Sequence, residues 1–372
     1  LHPFEYVEPR SLDQAVALLL AQPDETQIIA GGTDLLSEMK EGVVRPQRLV
    51  GLAGIPGLLG IATAAIGVTI GAMTTIAELA AHPVIRSRYT ALAEAAAGLA
   101  TPQIRHVGTL GGNLNQRPRC WYYRHPLIQC LKKGGDRCYA LAGNSKYLCV
   151  TGGDRCYIVH PSDTAVALTA LGASVEIAGP GGYRILPIEQ YFIGPGQDLT
   201  RENILAPGEL VTRVHVPGPS GPWDETELPL SGSTPHPNLP PQGGKGFRRS
   251  LYLKAGERES GDFALVSVAA AVTVDEDTPS ASPTASDPDR GRGRSSGRRI
   301  LQAAVVLGGV APVPYRARQV EQYLQGKSVG EVDSALAGSL ALPDARPMAD
   351  NRYKVILAAN LVKQAVRQLL IV

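Results

Sequence analysis

All five cysteines of this 372-residue chain, Cys120, Cys130, Cys138, Cys149 and Cys156, fall in one short window. A glycine turn, Thr109-Leu110-Gly111-Gly112-Asn113, opens the region, and His160-Pro161-Ser162-Asp163 closes it. Core cysteines scattered through a fold would not collect this way. The window therefore reads as one metal or cluster site set into a ligand-binding loop. An odd number of cysteines argues against a secreted disulfide framework. Leu1 to Arg10 shows no basic flank followed by an apolar core, so no secretory signal is expected. Clustered thiols without an export signal favour metal binding over redox disulfides or inert thiols.

A chain of this length has ample core for two or three domains. Its 44% hydrophobic and 19% charged residues are ordinary globular composition. A net charge of +2 does not point to nucleic acid or an anionic membrane surface. No run approaches the roughly 18 apolar residues of a membrane span.

Ser11-Leu12-Asp13-Gln14 has the form of a capping box, and a helix with Ala15, Leu18 and Leu19 on one face should run to Ala21. Gln27 to Ala30 reads as a short strand running into Gly31-Gly32-Thr33-Asp34-Leu35. Paired glycines allow positive φ and close approach to an anion, with successive amides forming a nest. Taken alone, such a turn is more often only a turn. No G-x-G-x-x-G is present, so the pattern is not the Rossmann one. Arg45 to Leu52 and Ile66 to Ala72 read as strands, and Thr75-Ile76-Ala77-Glu78 as a second capping box. Leu92 to Leu99 is an Ala-rich helix broken at Thr101-Pro102. Ile104 to Thr109 reads as an apolar strand entering the second turn. Two such Gly-Gly turns could hold the two ends of a pyrophosphate.

Ala165 to Leu171 reads as helix, Ser174 to Ile177 as strand, Ile188 to Ile193 as a small helix or turn, and Leu210 to Val216 as strand. Pro217 to Ser250 and Asp275 to Arg299 are rich in Pro, Gly, Ser or charge and are expected to be disordered surface insertions. Leu251 to Lys254 reads as strand, Phe263 to Val274 as helix, and Ile300 to Val310 as strand. A last helix, Asn351 to Leu370, places Val355, Ala359, Val362, Val366 and Leu369 on one stripe.

These motifs resemble the flavin-binding subunit of the molybdenum hydroxylases, the xanthine dehydrogenase family. The resemblance is carried by Ala30-Gly31-Gly32-Thr33-Asp34-Leu35 with Thr109-Leu110-Gly111-Gly112-Asn113. Thr101 to Arg105, Lys254 with Arg258 and Asp262-Phe263-Ala264, Gly308 to Pro312, and Asn351 to Val355 also fit. It implies an α+β chain: a two-subdomain FAD-binding fold of the vanillyl-alcohol oxidase (PCMH) type, then a smaller α+β domain with an antiparallel sheet. The organisation expected is a flavin domain over 1–216 with an iron–sulfur insertion at 115–158, a disordered insertion at 217–250, and a C-terminal domain like that of carbon monoxide dehydrogenase flavoproteins over 251–372, interrupted at 275–299.

The resemblance assigns FAD to Ile28, Ile29, Ala30, Gly31, Gly32, Thr33, Asp34 and Leu35 in the first turn. It adds Leu99, Thr109, Gly111, Gly112, Asn113, Asp163, Val211 and Lys254. The inserted thiols resemble the branch with an extra 4Fe-4S cluster, which includes 4-hydroxybenzoyl-CoA reductase and some bacterial aldehyde oxidoreductases. Its ligands would be Cys120, Cys130, Cys138 and Cys156, with Cys149 a spare buried thiol. Lys254 would place positive charge near the flavin, and His160 would have a local structural role.

No catalytic acid, base or nucleophile is expected in this chain. The implied role is electron transfer between FAD and the other subunits: a large molybdopterin subunit and a small 2Fe-2S subunit, in a heterotrimer or a dimer of heterotrimers. The implied compartment is cytoplasm, or periplasm within an exported complex. Two other readings are a zinc-stabilised binding module, disfavoured by the lack of C-x₂-C knuckles, and a stand-alone flavin oxidase.

Overall fold

The structure, a computed structural model, describes residues 1–64, 66–218, 246–258, 261–275 and 298–371. Three sheets organise them. The first is parallel, in the order β1-β3-β2, from β1 (Glu5–Val7), β2 (Thr26–Ile29) and β3 (Arg48–Gly51). The second is antiparallel, in the order β4-β5-β8-β6-β7, from β4 (Ile61–Ala64), β5 (Gly67–Gly71), β6 (Ser174–Gly179), β7 (Gly182–Pro187) and β8 (Leu210–Pro217). The third is also antiparallel, in the order β12-β11-β10-β9, from β9 (Gly246–Ala255), β10 (Val266–Asp275), β11 (Ile300–Gly308) and β12 (Tyr315–Arg316).

Local chemistry sets several helix starts as expected. Ser11 accepts from the Gln14 amide and opens the helix Leu12–Ala21. That helix buries Ala15 and Leu19 against Val50 of β3 and Leu210 of β8, closing the small core between the first two sheets. Thr75 and Glu78 form a reciprocal capping box on Ile76–Ala81. This helix packs with Thr90–Ala97 and Asp163–Ala170 on the second sheet, in the largest core.

Three expectations needed correction. The stretch Ile104 to Thr109 is not a strand. Thr101 caps a helix, Pro102–Val107, in which Pro102 takes the first position, where it has no amide bond to lose. Phe263 to Val274 is not a helix. Its core is β10, buried along most of its length on both faces, so its run of small apolar residues lacks the polar alternation of a half-exposed strand. Val268, Ala270 and Val272 face the C-terminal core, whereas Ala269 joins the large core on the second sheet. Residues 246–250, read by composition as the end of an insertion, belong to β9 and pair with β10. The rest of that insertion from 219 and most of the second, 276–297, lie outside the described residues.

The helix Tyr353–Leu370 covers the third sheet with Ala358, Leu361, Val362, Ala365, Val366 and Leu369. Val355 and Ala359 of the expected stripe are only half-buried. Among the described residues no helix is long and apolar enough to cross a membrane.

The start of this last helix grips the cysteine window. Asn351 donates to the carbonyls of Leu148 and Cys149 at 3.2 and 3.0 Å. Lys354, 1% exposed, donates to Tyr147 O at 3.1 Å and Gly309 O at 2.6 Å. Burial pushes the Lys354 ammonium down to about 7, against the nearby Cys149, which raises it. The unfolded chain keeps this proton to about pH 10.4. Between those values the unfolded state binds more protons, so this residue makes stability rise with pH. Lys354→Met leaves the buried Gly309 carbonyl and the half-buried Tyr147 carbonyl without this donor and is expected to cost about 2–4 kcal/mol at pH 7. Urea denaturation at pH 7 and pH 9 checks both parts: the wild-type advantage should be present at pH 7 and larger at pH 9.

Candidate functional site

A cavity of about 790 Å³ opens where the first sheet meets the second. This is within the usual range for a cofactor or small-molecule site. Both glycine turns reach it. Ile28, Ala30, Gly31, Gly32, Thr33, Asp34 and Leu35 line it from the loop after β2. Thr109, Gly111, Gly112 and Asn113 line it from the second turn, and Leu99, Asp163 and Val211 complete the expected wall. Ile29 and Lys254 do not line it.

The two turns differ in kind. The first is an open nest. Gly32 has φ +70°, and among the described residues the amides of Gly32, Thr33, Asp34 and Leu35 have no acceptor. A Cβ on Gly31 would lie 2.0 Å from the Val107 carbonyl oxygen, so only glycine lets this turn abut the helix that leads to the second one. The second turn is a helix cap. Thr109 Oγ1 accepts from Gly112 N at 3.1 Å, and Gly111 N donates to Ala72 O at 2.7 Å. The amides of Leu110 and Asn113 are bonded too, to Thr74 O and Thr109 O, so all four from Leu110 to Asn113 are satisfied within the protein and the expected pair of equivalent nests is met on one side only. A Cβ on Gly111 would meet Ala72 at 2.9 Å, so this glycine serves close packing against the end of β5.

Asn113 Oδ1 accepts from Ser162 Oγ and Thr164 Oγ1, both at 2.6 Å, tying the second turn to the Asp163–Ala170 helix. Asp163 is buried and accepts from Tyr252 OH and Lys254 Nζ, each at 2.7 Å. Lys254 also donates to Gly98 O at 3.1 Å. It therefore stands behind Asp163, and its charge reaches the cavity through that carboxylate. Burial lowers the His160 imidazole to about 4, so it is neutral, and its Nδ1 accepts from Ser162 N at 3.3 Å.

Several wall residues escaped the sequence reading. Arg117 and Arg119, from the segment just before Cys120, line the cavity, as do Glu38 and Phe263. The Arg119 guanidinium lies 4.7 Å above the Phe263 ring and pairs with Asp34 at 2.6 Å. Arg124 pairs with the same carboxylate at 2.8 Å, and Arg117 N donates to it at 2.7 Å. The one available signal was the Arg117-Pro118-Arg119 run against the first thiol; nothing in periodicity placed it on the cavity.

Beside this cavity is a small hollow of about 10 Å³. Cys120, Cys130, Cys138 and Cys156 all wall it, with Tyr123 and Lys132. Cys149 does not; it is buried nearby, and burial pushes its thiol up to about 12. Burial also pushes Cys120 up to about 11 and raises Cys138 and Cys156, the last opposed by Lys132. Four thiols around one void are a donor set suited to soft metals. Among the described residues, no three Cys, His, Asp or Glu side chains converge closely enough to hold a single ion.

Comparisons with known proteins agree with this geometry. Residues 2–219 match the family described as the FAD binding domain in molybdopterin dehydrogenase. Residues 251–369 match the CO dehydrogenase flavoprotein C-terminal domain. The chain is 34% identical to the aldehyde oxidoreductase FAD-binding subunit of Escherichia coli, over 89% of this chain and 87% of that one. It is 27% identical to the carbon monoxide dehydrogenase medium chain of Hydrogenophaga pseudoflava, over 97% and 95%. Among solved structures, carbon monoxide dehydrogenase from Hydrogenophaga pseudoflava superimposes with a TM-score of 0.68 at 24% identity, covering 99% of this chain and 97% of that one. Quinoline 2-oxidoreductase from Pseudomonas putida gives 0.66 at 22%, covering 99% and 96%. The fold is the expected one: an α+β, two-part FAD-binding fold of the vanillyl-alcohol oxidase type, followed by a smaller antiparallel-sheet domain.

The close approach at Gly31 has a direct consequence. Gly31→Ala drives a methyl into a backbone carbonyl that cannot rotate away, and is expected to cost about 1–3 kcal/mol. Gly181→Ala, where an added Cβ meets nothing within 4 Å, is the control and should leave the urea midpoint nearly unchanged.

Proposed function

Because this chain belongs to the FAD-binding family of the molybdopterin dehydrogenases, we propose that it is the flavoprotein electron-transfer subunit of a heteromeric molybdenum hydroxylase that also carries a 4Fe-4S cluster. As a member of that family it is an oxidoreductase flavoprotein subunit. The observation that carries the reading is the convergence of both glycine turns on one cavity of flavin size. Bound FAD supplies exchange of electrons singly or in pairs, and the cluster supplies single-electron transfer.

The chain's own residues bind and orient. The amides of Gly32 to Leu35, without an acceptor among the described residues, would hold the diphosphate of FAD as a nest holds an anion. Asn113 and Asp163 hold the opposite wall through Ser162, Thr164 and Tyr252. Lys254 neutralises Asp163, so the carboxylate can sit buried beside the cofactor. Leu99 and Val211 exclude water from the apolar part of the wall, and Ile29 supports the first turn from β2.

Cys120, Cys130, Cys138 and Cys156 are the cluster ligands in this reading. The four thiols share one hollow, yet no three meet at one point. Four thiolates are the usual ligand set of a multi-iron core, and their spacing along the chain lacks the C-x₂-C knuckles typical of zinc ribbons. The donor set fits such a core. Cys149 stays a protonated, buried thiol. The partners in this reading are a large molybdopterin subunit and a small 2Fe-2S subunit; the relatives' names, an FAD-binding subunit and a medium chain, support the presence of further chains.

Denaturing the purified protein should release about one FAD per chain, with about four irons and matching acid-labile sulfide. Cys138→Ser is expected to remove most of the iron, whereas Cys149→Ser should retain it. A colourless protein releasing no flavin would end the proposal. Iron content insensitive to Cys138→Ser would end its cluster half alone.

A further inference from the structure

A buried ladder of alternating charge and hydrogen bonding runs from the thiol hollow to the flavin cavity. Lys132, on the wall of the hollow, pairs with Glu202 and donates to Leu199 O at 2.8 Å. Glu202 also pairs with Arg117 at 2.5 Å. Arg117 Nε donates to Tyr123 OH at 3.0 Å, and Tyr123 OH donates to Glu38 at 2.8 Å. Tyr123 walls the hollow, whereas Arg117 and Glu38 wall the flavin cavity. Lys132, Glu202, Tyr123 and Glu38 are each no more than 5% exposed.

Such a ladder is stable only when complete. A buried charge that loses its partner destabilises its surroundings by several kcal/mol. Burial would lower the Arg117 guanidinium, but Glu202 and Tyr123 overcome this and hold it above its ordinary range. Glu202 in turn needs Lys132, and Lys132 sits two residues from Cys130 on the loop the thiols must order. Where that loop is held, Glu202 is paired on both sides and Arg117 is fixed on the flavin wall. Where it loosens, Arg117 and Glu38 lose their shared anchor.

We propose that occupancy of the thiol hollow and occupancy of the flavin cavity are thermodynamically linked through Arg117, with Glu202 and Tyr123 as positioning residues. The inference rests on the function proposed above. Linkage is reciprocal: filling one site tightens the other by the same factor. A coupling in the usual range is about 5–150-fold.

The test uses the full-length protein. Its iron is left in place or stripped anaerobically by oxidation and chelation, its flavin is removed, and FAD is titrated back by fluorescence quenching. Stripping iron is expected to weaken FAD binding about tenfold or more. Conversely, removing FAD should speed iron loss to a chelator. In Glu202→Gln and Tyr123→Phe, FAD affinity should no longer respond to iron content, a readout that a merely structural role would not move. Circular dichroism identifies which variant is folded, and either one suffices. Wild-type FAD affinity unchanged by iron removal would overturn the proposal, as would variants that keep the full response. If the wild-type protein binds no FAD or no iron, the underlying function fails first, and the inference with it.

Discussion

The carboxylate of Asp34 is the point on which this structure turns. It is mostly buried, and its partners are Arg119, Arg124 and the Arg117 amide, all from the thiol segment. A buried anion needs nearby cations and donors to offset the loss of water. The first glycine turn is therefore held open by residues more than eighty positions downstream. The same segment contributes Arg117 and Arg119 to the cavity wall and Cys120 to the hollow. Two sites that look separate along the chain share one electrostatic support.

A second constraint acts from the other side. The cysteine window is loop-rich, and its buried backbone carbonyls need donors. The start of the last helix supplies them through Asn351 and Lys354, and Val150 N pairs with Val310 O after β11. The window is thus clamped between the flavin domain and the C-terminal sheet. β10 lies at the same junction and packs into both cores. An apolar strand buried on both faces is what such a junction requires.

Much of the site was legible because its signals are local. Gly31, Gly32, Gly111 and Gly112 are glycines within a few residues of Thr or Asp, and a turn is a property of adjacent residues. Ser11 and Thr75 mark helix starts through bonds reaching three residues along the chain. The clustering of the thiols needs no structure to be seen. The break at Thr101-Pro102 is where one helix gives way to the next, but Ile104 to Thr109 reads as strand because the second helix is only six residues long and the Thr101 cap is the one local mark of its start.

By itself the sequence determined the glycine turns, the helix caps, the thiol cluster and the family resemblance, all of which depend on neighbours along the chain or on a motif. Tertiary structure decided the rest. It made β10 a strand, took the Gly111 amide out of the second glycine turn by giving it the carbonyl of Ala72, and moved Lys254 behind Asp163. It also brought Arg117, Glu202 and Lys132 together from three separate stretches of the chain. The reason is physical: a buried charge or amide is satisfied by whatever the fold brings within about 3 Å, and separation along the chain does not limit that choice.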